Sequence, residues 1–322
     1  MYKKLACLIF GIILLNTWPA FSQQDAQFSQ YMFNTLFYNP AFAGIEDDLK
    51  ITSVFRGQWL GYEATFDDGR APTTYVLSAS RPVPQLKGGV GFHVVSDQLG
   101  PQRNLEIQLS YAYHLKINEG TKLSLGVRTG LVSQSIDYDQ LRPLQEGDPL
   151  LGLQGRESQF RPDMAIGAFL KSDRYYAGVS FNHILESEFD FNLDSAASVL
   201  ENHAYFTFGY KYEPSLDLEI EPSFLIKTDL NTYSFDVGVL ATYKKIMWGG
   251  LSFRQSESAS LMLGYSFLKS KRLRVGYAVD YIISDQDAKQ PVSGELLVNY
   301  RIPISPPGGV KQQRSPRYRE LN

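Results

Sequence analysis

Four histidines, His93, His114, His183 and His203, are the side chains of this 322-residue sequence best suited to proton transfer or metal ligation. Their spacing argues against both. No two sit as a metal pair on one strand face, and neither His-x-x-x-His nor Cys-x-x-Cys occurs. Serines are numerous enough to leave a Ser–His pair open, yet no local motif marks a nucleophile. The single cysteine, Cys7, lies inside the apolar run Leu5–Leu15. Once that run is removed, no thiol nucleophile, disulfide or cysteine-ligated metal remains. The sequence therefore predicts no enzyme, no cofactor and no metal residues, and its polar side chains need another purpose.

Met1 to Ser22 reads as a cleaved signal peptide. Lys3 and Lys4 form the positive start, Leu5–Leu15 the apolar stretch, and Ala20-Phe21-Ser22 a small-x-small cleavage site. The whole chain carries 31 basic and 34 acidic residues, a net charge of −3, and the leader removes two more positive charges. No nucleic-acid partner is expected from that balance. No stretch reaches the roughly 18–20 apolar residues of a spanning helix. A hydrophobic content of 43%, with 20 Phe and 20 Tyr, excludes a disordered chain. A globular protein or a transmembrane β-barrel remains, since a barrel hides its membrane surface in alternation.

That alternation is what must position the polar residues. In the stretch 105–115, Leu105, Ile107, Leu109, Tyr111, Tyr113 and Leu115 share one face, opposite Glu106, Gln108, Ser110, Ala112 and His114. The same period of two predicts strands over 49–60, 72–81, 88–96, 103–116, 121–134, 160–171, 174–183, 202–213, 216–227, 232–244, 246–255, 258–268, 271–283 and 292–302. A secreted soluble β-sandwich also alternates, but its strands usually run about 5–6 residues, and these are long enough to cross a bilayer at a tilt. The polar face is rich in Gly, Ser, Ala and Thr, which suits a concave lumen. The expected fold is all-β, a single antiparallel transmembrane barrel of 14 strands over 49–304. It is preceded by the signal peptide 1–22 and an aromatic segment 23–48, and followed by a basic tail 305–322 with Lys311, Arg314, Arg317 and Arg319.

Connections alternate between longer and shorter, and the longer set is expected outside the cell. The long loops hold Asp67, Asp68, Asp97, Asp137, Asp139, Glu146, Asp148, Glu186, Glu188, Asp190, Asp194, Asp229, Glu257, Asp285 and Asp287. Around the short turns stand Lys87, Lys116, Lys122, Lys171, Arg174, Lys244, Lys245, Lys269, Lys271 and Arg272. This asymmetry serves solubility and turn backbones, or it docks an acidic periplasmic partner, with Lys244, Lys245, Lys271 and Arg272 as the candidate face.

The lumen side is expected to carry Arg56, Gln58, His93, Glu106, Gln108, Arg128, Asp217, Glu219, Glu221, Asp236, Arg254, Arg274, Asp280, Glu295 and Arg301. With both signs abundant, cross-lumen ion pairs are expected rather than a ring selecting one ion. The aromatic segment, with Phe28, Tyr31, Phe33, Phe37, Tyr38 and Phe42 around the turn signal Asn39-Pro40, either plugs this lumen or lies on the periplasmic rim.

The segment from Gln24 to Asn34 and the run Tyr38-Asn39-Pro40-Ala41-Phe42-Ala43-Gly44 resemble the opening of the PorP/SprF family of the Bacteroidetes type IX secretion system. Arg56-Gly57-Gln58-Trp59, Pro72-Thr73-Thr74-Tyr75, Gly88-Gly89-Val90-Gly91 and Val298-Asn299-Tyr300-Arg301 extend the likeness across the mature chain. Gln27, Phe28, Tyr31, Asn39, Pro40, Gly44, Arg56 and Trp59 are its motif residues. The resemblance implies an outer-membrane barrel of the secretion and gliding machinery. Its implied work is secretion or surface attachment of an adhesin-like cargo, often bearing a type B C-terminal domain. It also implies contact with periplasmic components of that machinery, and the barrel wall meets outer-membrane lipid. The alternative is an outer-membrane transporter of small hydrophobic solutes, of the long-chain fatty-acid type, which predicts a lateral opening or an apolar internal cavity.

Overall fold

The computed structural model describes residues 25–62, 71–141, 154–191, 198–268, 270–284 and 290–304. The leader and the tail 305–322 lie outside them. So do Asp67, Asp68, Glu146, Asp148, Asp194, Asp285, Asp287 and Lys269.

Fourteen antiparallel strands form one closed barrel. They are β1 (Asp48–Gly57), β2 (Thr73–Val83), β3 (Gly88–Leu99), β4 (Gln102–Asn118), β5 (Thr121–Asp137), β6 (Arg156–Ser172) and β7 (Tyr175–Asn182). Then follow β8 (His203–Tyr210, continued by Tyr212–Ser215), β9 (Leu218–Thr228), β10 (Tyr233–Tyr243) and β11 (Met247–Arg254). The last are β12 (Ser258–Phe267), β13 (Leu273–Ile282) and β14 (Val292–Pro303). Each strand pairs with its sequence neighbours, and β1 closes the circle on β14 from Asp48↔Pro303 to Gly57↔Gly294. A short hairpin, Glu188–Phe189 against Ser198–Val199, stands in the β7–β8 connection.

The period-two pattern decides which face each residue takes. Leu109 is 60% exposed and Leu263 62%, on the outer surface, whereas their inward neighbours Gln108 and Met262 are fully buried. An apolar outer wall of this size is the surface a bilayer covers. Among the described residues no helix is long and apolar enough to cross a membrane.

The differences from the expected strands lie at their ends. Three successive strands, β4 to β6, reach 17 residues each, so Asp97 stands within β3 rather than in a loop and is buried beside Thr74. At the same end, β1 stops at Gly57, and Trp59 turns the chain with φ +50°. Asp217 precedes β9 in an exposed turn, 3.9 Å from Lys244, and is not a lumen residue.

Residues 28–45 are buried between the inner faces of the strands, as short helical turns Tyr31–Phe33, Thr35–Tyr38 and Pro40–Phe42. Phe28, Tyr31, Phe33, Phe37 and Tyr38 share one apolar cluster with Val54, Val76, Val95, Tyr205, Leu225, Leu240, Trp248, Met262, Ala278 and Leu297. Leu36, Ala41 and Phe42 share a second with Ala112 and Phe169.

Candidate functional site

The lumen is built by the polar inner wall closing on the main chain of this N-terminal segment. A segment of isolated short turns leaves many backbone groups without helical or ladder partners, and buried groups of that kind need others. The wall supplies them. At the long-loop end, Glu295 of β14 accepts from Ser29 N at 2.8 Å and Gln30 N at 2.9 Å. Arg254 of β11 donates to Phe28 O at 2.8 Å, and Arg56 of β1 donates to Ser29 Oγ at 2.9 Å. Further in, Arg128 of β5 donates to Phe37 O and Ser180 of β7 to Tyr38 O, each at 2.7 Å. Asn39 donates to Ala168 O and Val179 O at 3.0 Å, while its own Oδ1 accepts from Ala41 N.

The expected ion pairs are present among these same side chains, but they run between adjacent or next-but-one strands along the wall rather than across the lumen. Arg56 reaches Asp280 at 2.5 Å and Glu295 at 3.3 Å, and Arg254 reaches Asp236 at 2.7 Å and Glu257 at 3.1 Å. Lys227 joins Asp236 at 2.8 Å and Gln27 at 2.9 Å. A charge buried this deeply is costly unless paired and hydrogen-bonded. Here the pairing and the grip on the segment use the same side chains.

The segment runs the length of the barrel. Asp25 lies at the long-loop end, 2.9 Å from His183, with His203 at 3.8 Å and the Tyr205 hydroxyl hydrogen-bonded to it. Burial would raise the Asp25 carboxyl, but His183 and His203 beside it hold it well below the usual carboxylate range. At the short-turn end, Glu46 meets Arg301 at 3.3 Å, Lys50 at 3.6 Å and Lys171 at 3.7 Å. Burial pushes the Glu46 carboxyl up, and those cations outweigh it, bringing it down to about 2. Asp47 pairs with Lys122 at 2.9 Å just before β1 begins.

Glycines make room for this path. Gly44 has φ +64° and lies so close to the wall that a Cβ would meet Arg81 O and Gly89 Cα. A Cβ on Gly126 of β5 would meet the backbone of Pro40 and Ala41. The small residues of the polar face, read in the sequence as fitting a concave lumen, are where another backbone approaches.

The structure gathers seven of the eight motif residues around this arrangement. Gln27, Phe28, Tyr31, Asn39, Pro40 and Gly44 belong to the segment, with the Tyr31 hydroxyl 2.9 Å from Ser223 Oγ, and Arg56 is in the wall that holds it. Trp59 stands apart at the long-loop rim, its N–H 3.0 Å from Ser293 Oγ. The basic set Lys244, Lys245, Lys271 and Arg272 is exposed at the short-turn end, where the Lys271 ammonium donates to Lys244 O at 2.6 Å. Several acidic loop residues are held locally instead of standing free. Asp229 accepts from Asn231 N and Thr232 N, Asp137 pairs with Arg156 at 3.2 Å, and Glu257 is bound by Arg254.

A family model described as type IX secretion system membrane protein PorP/SprF matches residues 20–300. The chain belongs to the PorP/SprF family. As a member with a closed 14-stranded barrel, it is an outer-membrane β-barrel of the type IX secretion system. No curated protein matches the sequence. Among solved structures, the CymD monoaromatic hydrocarbon channel is 12% identical with a TM-score of 0.50, covering 85% of this chain and 93% of its own. A Pseudomonas aeruginosa FadL homologue is 14% identical with a TM-score of 0.48, over 84% and 94%. The Ralstonia pickettii toluene transporter TbuX is 11% identical with a TM-score of 0.49, over 84% and 93%. At these identities the likeness is one of fold.

Sequence spacing gave no sign of the group Asp25, His183 and His203. The two histidines come from neighbouring strand ends, where His203 pairs in register with Asn182, and no pattern along one strand reports that.

Proposed function

We infer that this PorP/SprF protein supports secretion or surface attachment of a cognate cell-surface protein, an adhesin-like cargo, through protein–protein recognition. The observation that supports this reading is the lumen filled by the chain's own N-terminal segment, in a member of a secretion family. With that space occupied, the two rims are the surfaces offered to partners. The long loops face outward and meet the cargo, including one bearing a type B C-terminal domain. The basic short turns, with Lys244, Lys245, Lys271 and Arg272, face the periplasm and meet secretion or gliding components of acidic character. The signal peptide 1–22 directs the chain to export. Deleting the gene and comparing the surface proteome tests the reading. Loss of one or a few surface proteins is expected, and a strain that displays all of them at parental levels overturns it.

One feature favours the transporter alternative. An apolar groove of about 410 Å³ lies on the outer wall, lined by Phe208, Phe224, Ile226, Phe235 and Val237. It lies where the β8–β9 ladder lapses between Gly209↔Ser223 and Tyr212↔Ile220, and Pro222 has no N–H to donate there. Against transport stands the interior, where the ion pairs and aromatic side chains occupy the path a solute would take. Uptake of a labelled long-chain fatty acid unchanged by the deletion is the expected result.

A further inference from the structure

Three chain segments that are remote in sequence bring Asp25, His183 and His203 together at the long-loop end of the lumen. Asp25 belongs to the N-terminal segment, His183 follows β7, and His203 opens β8. Both imidazoles are 2% exposed, and their rings meet edge to face at 5.8 Å. One ligand atom from each residue lies within 4.8 Å of the others. His183 Nε2 stands 2.9 Å from Asp25 Oδ1, and His203 Nδ1 3.8 Å from Asp25 Oδ2. Metal–ligand bonds of about 2.0–2.1 Å separate tetrahedral ligands by roughly 3.3 Å, so these two distances bracket the required spacing.

The surroundings are built as well. His203 Nδ1 is buried without a hydrogen-bond partner and is turned toward the Asp25 carboxylate. His183 Nδ1 lies 3.2 Å from Asp163 Oδ2, which Gln108 Nε2 fixes at 2.8 Å. A hydrogen bond from Nδ1 to that carboxylate, which this arrangement approaches without making, would leave Nε2 as a ligand, the usual outer support of a metal-binding histidine. The Tyr205 hydroxyl orients Asp25 in the same way.

We propose that Asp25, His183 and His203 form a binding site for a divalent transition cation of the Zn²⁺ class, one that clamps the start of the N-terminal segment to β7 and β8. Two imidazoles and one carboxylate suit Zn²⁺ and leave a fourth position open, whereas Ca²⁺ and Mg²⁺ call for oxygen ligands. The cation gives the orphaned His203 nitrogen a partner and replaces a direct Asp25–His183 contact with a three-way one.

The test uses the full barrel, purified in detergent with a tag free of histidine and stripped with chelator. Titration calorimetry with Zn²⁺ is expected to show one saturable site per barrel. The H203A and H183A/H203A variants, still heat-modifiable on gels, are expected to lose it. Zinc uptake by the double variant equal to that of the parent overturns the proposal. Co²⁺ added to the unmutated barrel keeps the question decidable if the variants do not fold. Visible absorption bands of a four-coordinate nitrogen–oxygen site are expected at one equivalent. A colourless titration with no saturable Zn²⁺ binding leaves an ion pair only, and overturns it.

Discussion

Arg128, on the inner face of β5, donates a guanidinium N–H to the main-chain oxygen of Phe37 across 2.7 Å, in a buried helical turn four residues long. The wall thereby holds the segment by its backbone, which a change of segment side chain would leave in place.

Replacing Arg128 with Met removes that bond and leaves a buried carbonyl without its charged donor. A hydrogen bond to a charged group contributes about 1.5–3 kcal/mol. Hydrogen–deuterium exchange is expected to quicken over residues 35–42, while the barrel strands keep their protection. Unchanged exchange in the segment would show that Phe37 O finds an equivalent partner.

Gly126→Ala sets a Cβ against the backbone of Pro40 and Ala41, and neither side can yield without moving a strand or the segment. A cost of about 1–3 kcal/mol is expected, the usual range for overpacking, read as a smaller heat-modifiable fraction after refolding. Gly57→Ala meets only the tip of Leu60 at 3.4 Å and serves as the mild comparison. Equal refolding yields from both variants would refute close backbone approach at Gly126.

Glu46 fixes the pH behaviour of the short-turn end. Its folded carboxyl titrates at about 2 against an ordinary 4.5, so the anchor is fully present above 4.5 and is lost as pH falls from there through 2. The difference corresponds to about 3 kcal/mol. Barrel melting in an acid-stable detergent is expected to drop across that window. Glu46→Gln is expected to be less stable at pH 7 and to show a flatter acid profile. A parallel acid profile in the variant would assign the drop to other carboxylates.

Reversing charge at Lys244, Lys245, Lys271 and Arg272 together is expected to remove periplasmic proteins from a detergent pull-down while the heat-modifiable shift persists. All four are exposed, so folding has little stake in them. An unchanged set of captured proteins would leave the basic rim as a matter of solubility.

Much of the barrel is legible in the sequence because a strand's faces are a local property. Leu109 and Gln108 declare opposite sides within one residue of each other, and the count of fourteen follows from repeating that reading. The lumen charges were legible for the same reason, since Arg56, Asp236, Arg254, Asp280 and Glu295 all lie on the inward period. What Asp25 touches was not legible. His183 and His203 stand far from it along the chain, and alternation says which way a side chain points but not what lies opposite. The segment's direction through the barrel was hidden by the same limit. Asp97 and Asp217 were misplaced because strand ends are set by pairing with neighbours, which local pattern does not report.

The apolar cluster around Phe28, Tyr31, Phe33, Phe37 and Tyr38 draws on β1, β2, β3 and every strand from β8 to β14. A ring of hairpins has no local contact that registers when it has reached its proper circumference. Each new strand satisfies only the edge before it, and the seam between β1 and β14 joins the two ends of the barrel-forming chain. The N-terminal segment supplies the missing measure. Its contacts fit a wall of this circumference, and a ring one hairpin too small or too large would leave its rings and carbonyls without their places.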